Sequence, residues 1–206
     1  MANRSLHYTD DAEANRLNAT DPMALLIGFV LDQQVPVPKA FSGPMELKRR
    51  VGTLDAQRLA DLPPDELEAA FRQRPALHRF PGAMAKRVQA LAAAVASDYG
   101  DDASRIWTDA ADGADLAKRL GALPGIGGMK VRSLIAVLGK RLGVKLPGLE
   151  DEMPSYPTLG DVDSAASLEE YQARKRAYQA QLRESGEKFE PWADKQEAAT
   201  YAKGKR

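Results

Sequence analysis

The stretch Leu123-Pro124-Gly125-Ile126-Gly127-Gly128-Met129-Lys130 constrains this chain more than any other. An apolar-periodic segment carrying Leu116, Leu120 and Leu123 stops at Pro124-Gly125. A second, carrying Val131, Leu134, Ile135 and Leu138, begins straight after Gly127-Gly128. The pattern predicts two helices within 114–141 joined by a turn that calls for glycine, because tight chain reversal needs positive φ and no Cβ in the way. The first amides of the second helix are then unpaired beside the positive end of its dipole, where an anion such as phosphate fits.

The charges agree. Between Leu116 and Leu149 there is no Asp or Glu, whereas Lys118, Arg119, Lys130, Arg132, Lys140, Arg141 and Lys145 are present. The whole chain is formally neutral, with 29 Lys and Arg against 29 Asp and Glu, so this is a local excess. Two readings stand side by side: a phosphate-binding hairpin, and an ordinary helix pair with a solvated basic face.

Aromatic residues make up only 6% of a chain that is 44% hydrophobic, so the interior is built from Ala, Leu and Val, which suits helices. The absence of cysteine excludes disulfides, Cys-ligated zinc and a Cys-held iron–sulfur cluster. The longest apolar run, Met23 to Leu31, is too short to cross a bilayer, and Met1-Ala2-Asn3-Arg4 opens no signal-peptide core. A soluble cytoplasmic protein without a membrane partner is expected.

Along the chain, a short helix is expected over 10–18, and Asp21-Pro22 opens an apolar helix reaching Gln34. That helix delivers Asp32, Gln33 and Gln34 at its exit, before Val35-Pro36-Val37-Pro38 breaks it. The three polar side chains either cap the helix end or face a cleft and read a polar ligand. Ser42-Gly43-Pro44 is expected to open the next helix, to about Val51. Helices follow over 53–60, 63–71, 84–99 and 102–107. Lys86 and Arg87 stand in the first turns of the 84–99 helix, the wrong end for its dipole, facing either an anion or solvent. After Gly143 the pattern gives a loop, then Ser167-Leu168-Glu169-Glu170 as a capping box opening a charged helix to Arg183, and a polar tail ending Lys203-Gly204-Lys205-Arg206. His7 and His78 are isolated and carry no assignment.

Four stretches carry a resemblance to a known family: Leu123-Pro124-Gly125-Ile126-Gly127 between its two helices, Leu25 through Ala40 with Gln33-Gln34 at the helix exit, Gly82-Ala83-Met84-Ala85-Lys86-Arg87-Val88, and the helix pair from Thr53 to Phe71. In this order, over roughly residues 20–145, they resemble the HhH-GPD DNA glycosylases, the endonuclease III, MutY and AlkA superfamily. The chain is also similar to a bacterial branch carrying Asp-Gln-Gln-Val-Pro and Arg-Phe-Pro-Gly-x-Met-Ala-Lys-Arg-Val. The resemblance implies an all-α, two-lobed HhH-GPD fold. A helical barrel with the helix-hairpin-helix would span 21–142, and a second lobe would combine 1–20 with 143–206 and its basic tail.

By the same resemblance the protein is expected to be a monomeric base excision repair glycosylase that binds damaged double-stranded DNA. It would flip a base out of the stack and hydrolyse its N-glycosidic bond. Gly125, Ile126, Gly127, Gly128, Lys130, Arg132 and Lys86 would hold DNA, and Gln33 and Gln34 would line the base pocket or fill the gap in the stack. Carbonyls of Leu123 and Gly125 would be the ligands of a monovalent cation at the hairpin; no other cofactor is expected, since a chain without cysteine does not carry the iron–sulfur cluster of some relatives. The alternative is a non-catalytic DNA-binding protein that keeps the fold.

Two departures matter. The family's catalytic aspartate lies just beyond the second hairpin helix, and its usual distance lands near Pro147. Asp163, in Val162-Asp163-Ser164, matches the family's context if residues 143–155 are an insertion; Asp161 is second, and Asp151 lies in no matching context. The hairpin position where bifunctional relatives keep a Schiff-base lysine is Met129, which implies a monofunctional enzyme.

Overall fold

The computed structural model describes residues 5–154 and 156–185, and the basic tail Lys203-Gly204-Lys205-Arg206 lies outside them. The described residues form helices and turns with no strand. Aspartate caps start several helices where the sequence asks for them. Asp11 accepts the Glu13 and Ala14 amides to open α1 (Ala12–Thr20). Asp21 does the same for Met23 and Ala24 at the head of α2 (Pro22–Leu31), with Pro22 in its first turn. Every residue of α2 from Met23 to Leu31 is buried, so this helix forms the centre of the molecule.

Helix α2 ends at Leu31, three residues before the expected exit at Gln34. The Asp32 amide donates back to the Gly28 carbonyl, and Gln34 takes up a left-handed conformation, φ 57°, that no helix continues through. The next helix, α3 (Val37–Val51), starts well before the Ser42-Gly43-Pro44 expected to open it, and Pro44 lies inside it. An interior proline costs about 3 kcal/mol. Burial of Val37 and Phe41 before it and Leu47 after it offsets that cost, and Asn18 Nδ2 donates to the Phe41 carbonyl at 2.7 Å.

Helices α4 (Ala56–Asp61) and α5 (Pro64–Arg72) pack on α6 (Pro81–Tyr99), which begins three residues earlier than expected because Pro81 serves as its first residue. A single turn, α7 (Arg105–Thr108), leads to α8 (Gly113–Ala122) and α9 (Gly128–Lys140). One continuous apolar core runs from Leu6 and Tyr8 through these helices to Leu159, Val162 and Leu168.

The stretch after α9, where periodicity shows no order, is built instead from close backbone approaches. The Gly113 amide donates to the Pro147 carbonyl at 2.9 Å, and a Cβ on Gly113 would stand 2.5 Å from the Gly148 carbonyl. Two 3-10 turns follow, Glu150–Glu152 and Leu159–Asp161. The last helix, α10 (Ala165–Ser185), begins two residues before the expected Ser167. Ser164 and Ser167 bond each other reciprocally (Ser167 amide to Ser164 Oγ at 3.2 Å, Ser164 amide to Ser167 Oγ at 3.0 Å), so Ser164 caps the helix and Ser167 completes the box.

Candidate nucleic-acid interface

The hairpin turn presents backbone outward. Leu123 and Ile126 are buried beneath it, while Gly125, Gly127, Gly128 and Met129 are exposed. Only Gly125 has positive φ, 82°; Gly127 is extended at φ −88°, ψ 170° and is the side-chain-free N-cap of α9. The Gly127 carbonyl accepts the Lys130 and Val131 amides at 2.8 and 3.0 Å. The amides of Gly127, Gly128 and Met129 have no protein acceptor among the described residues. The turn is open at Gly127, where a Cβ would meet nothing within 4 Å.

Lys130 is turned the other way. Its ammonium donates to the Gly125 carbonyl at 3.1 Å and to the Val30 carbonyl, in the last turn of α2, at 3.2 Å. The side chain expected to reach a phosphate instead satisfies two backbone carbonyls. Arg132 is half-buried on α9, and Lys86 is exposed on α6.

The exit of α2 is pinned from the far side. His78, 1% exposed, donates from Nε2 to the Gln33 carbonyl at 2.9 Å and accepts the Phe80 amide at Nδ1 at 3.1 Å. That pairing assigns the neutral Nε2–H tautomer, and burial pulls the pKa below its ordinary value. Arg87 donates to Gln33 Oε1, fixing that side chain, whereas Gln34 is exposed. Beside this turn lies Phe80, 42% exposed, with the Arg79 guanidinium 4.8 Å above its ring centroid. His78 and Phe80 carried no assignment from the sequence; only Arg-Phe-Pro ahead of a helix hinted at a shaped loop.

The three carboxylates differ in how far they are engaged. Asp161 closes its own 3-10 turn, accepting the Thr158 amide at 2.8 Å, and its other oxygen meets Lys140 Nζ at 2.7 Å. Partial burial raises its pKa, but the Lys140 and Thr158 bonds outweigh it and hold the carboxyl below the usual range. Asp151 is exposed on the 3-10 turn Glu150–Glu152. Asp163 immediately precedes Ser164, the cap of α10, and is exposed. The hydroxyls of Ser167 and Ser164 hold its carboxyl below the usual carboxylate range, with Arg141 adding to the effect.

The chain returns to the hairpin by a tight fit at Gly160, where a Cβ would stand 2.6 Å from the Ala136 carbonyl carbon of α9. The buried Tyr8 hydroxyl donates to the Leu159 carbonyl at 2.8 Å, and burial raises its pKa.

A family model described as HhH-GPD superfamily base excision DNA repair protein matches residues 27–191. The chain belongs to the HhH-GPD superfamily. No curated protein and no solved structure matched the chain. The HhH-GPD match extends beyond the hairpin and through α10, so the loop after α9 and the helix behind Asp163 belong to the matched region. Membership implies a glycosylase-type function in base excision repair, with DNA as the partner. Among the described residues no helix is long and apolar enough to cross a membrane.

Each carbonyl expected to hold a monovalent cation at the hairpin faces a protein donor. That of Gly125 already faces the Lys130 ammonium, and that of Leu123 accepts the Ile126 amide at 3.2 Å.

Proposed function

We propose that this HhH-GPD protein is a monofunctional DNA glycosylase with Asp163 as its catalytic carboxylate. The observation that carries the reading is the contrast between the two aspartates. Asp161 is tied into a turn and an ion pair, while Asp163 is exposed just ahead of α10 and enters no ion pair among the described residues. An ionised carboxylate of low basicity suits electrostatic stabilisation of the oxocarbenium sugar better than proton abstraction. In the reaction the C1′–N bond breaks and the base leaves with the electron pair, water oxygen bonds to C1′, and the proton that water gives up is matched by the one the base takes up. Met129 at the hairpin position, 45% exposed, offers no amine for a Schiff base, which supports hydrolysis without strand cleavage.

The substrate would be damaged duplex DNA bent over the hairpin, with the amides of Gly127 and Gly128 against a phosphate. The Gln33-Gln34 turn and the exposed Phe80 ring would replace the extruded nucleotide in the stack, a role suited to a π-face. The test is a panel of duplexes bearing uracil, alkylated purines and oxidised bases, scored for alkali-labile sites. Wild type should produce abasic sites without a β-elimination product. Asp163→Asn should abolish them while keeping duplex affinity. Activity that survives in Asp163→Asn and disappears in Asp161→Asn moves the catalytic role to Asp161, and no product with any lesion favours the non-catalytic DNA-binding reading.

A further inference from the structure

We infer that Lys130 is a built-in monovalent cation: its ammonium does for the hairpin turn and the α2 exit what a dissolved ion would otherwise have to do. Two carbonyls from segments far apart in sequence converge on Nζ, Gly125 at 3.1 Å and Val30 at 3.2 Å. Convergent backbone carbonyls are the ligand set that strips water from a potassium or ammonium ion. The Val30 carbonyl lies in the last turn of α2, where the helix dipole adds negative potential.

Contact between the two segments is close without the lysine as well. A Cβ on Gly125 would stand 3.3 Å from Val30 Cγ2, so the turn rests on the Val30 side chain while the ammonium joins their carbonyls. A tethered cation is held in place without the entropy of recruiting a free one. Charge-assisted bonds of this kind are roughly twice as strong as neutral ones. Lys130 is therefore a positioning residue. It registers the outward amides of Gly127 and Gly128 against the Gln33-Gln34 turn, and this chain needs no dissolved cation at its hairpin.

Thermal unfolding of the full chain tests this without DNA, so its outcome is separable from the glycosylase reading, on which only a parallel duplex-affinity measurement rests. Wild type should show the same midpoint in sodium, potassium, ammonium and tetramethylammonium chloride at fixed ionic strength. Lys130→Met keeps the stem and removes the charge, and its midpoint should fall by about 3–8 °C. Potassium or ammonium titrated into a tetramethylammonium background should recover part of that loss, and the variant's duplex affinity should recover with it. Loss of packing alone would not respond to the ion. Should Lys130→Met fail to fold, Lys130→Gln takes its place, and the wild-type series is decisive alone. The inference is overturned by a wild-type midpoint that depends on which small cation is present, by a variant that loses nothing, or by a loss that neither ion restores.

Discussion

His78 shows how one buried ring can fix the surface above it. Its Nδ1 accepts from Phe80 and its Nε2 donates to Gln33, so the neutral ring satisfies both loops and the imidazolium cannot. With burial first among the causes, its pKa lies below the ordinary 6.5. As pH falls through 6.5 the unfolded chain takes up the proton first, so stability is full above that value and declines until the folded ring also protonates. His78→Phe should cost about 1–3 kcal/mol at pH 7.5 by orphaning the Gln33 carbonyl and the Phe80 amide. Chemical denaturation at pH 7.5 and 5.5 should show the gap between wild type and variant narrowing in acid. An equal gap at both values would rule out the neutral-ring assignment. Nothing in the sequence announces this role, because a lone histidine carries no spacing signal and both partners are backbone atoms.

Two glycines at the ends of α9's environment separate folding from binding. Gly127 needs no special φ and has open space around it. Alanine there loses some N-cap preference but also restricts the unfolded chain, so the net change should stay within about 0.5 kcal/mol. If the turn grips a phosphate, Gly127→Ala should lower duplex affinity in a titration while leaving the unfolding midpoint unchanged; equal affinity would place the phosphate elsewhere. Gly160 is the opposite case, since its Cβ would meet the Ala136 backbone at 2.6–2.7 Å. Gly160→Ala should cost about 1–3 kcal/mol through overpacking and displace Asp163, so turnover should fall more than affinity. Turnover that falls no further than affinity would separate Asp163 from this fit.

The helices and the hairpin were legible at this scale because caps, prolines and apolar spacing are local signals. Pro44 misled for the same reason: it reads as a start, and only the tertiary burial of Phe41 and Leu47 carries the helix through it. The return of the chain to α9 at Gly160 was not legible, because a close backbone approach between distant segments leaves only a glycine in the sequence. Val162-Asp163-Ser164 ahead of a helix could be read, whereas the engagement of Asp161 by Lys140 could not.

Across the whole molecule, the acid-free stretch from Leu116 to Leu149 holds fewer available charges than it spells. Arg119 is paired with Asp115 at 2.8 Å, Lys140 with Asp161 at 2.7 Å, and Lys130 faces carbonyls. Arg141 is half-buried, with an Nε that has no partner among the described residues. With a formal net charge of +0 the chain's overall charge adds no net attraction toward DNA. Binding that relies on neutral amides displaces few counterions, because only cations neutralise phosphates. All seven cations of the stretch would give a slope of log affinity against log salt of about −6, and a clearly shallower slope is expected. Between 50 and 200 mM salt, affinity for a lesion duplex should fall by much less than the several thousand-fold which that steeper slope would give. Fluorescence anisotropy across that range decides it. A slope near −6 would mean that Arg119, Lys130 and Lys140 leave their partners to meet the DNA, and the hairpin would then act as a charged clamp rather than as a row of bare amides.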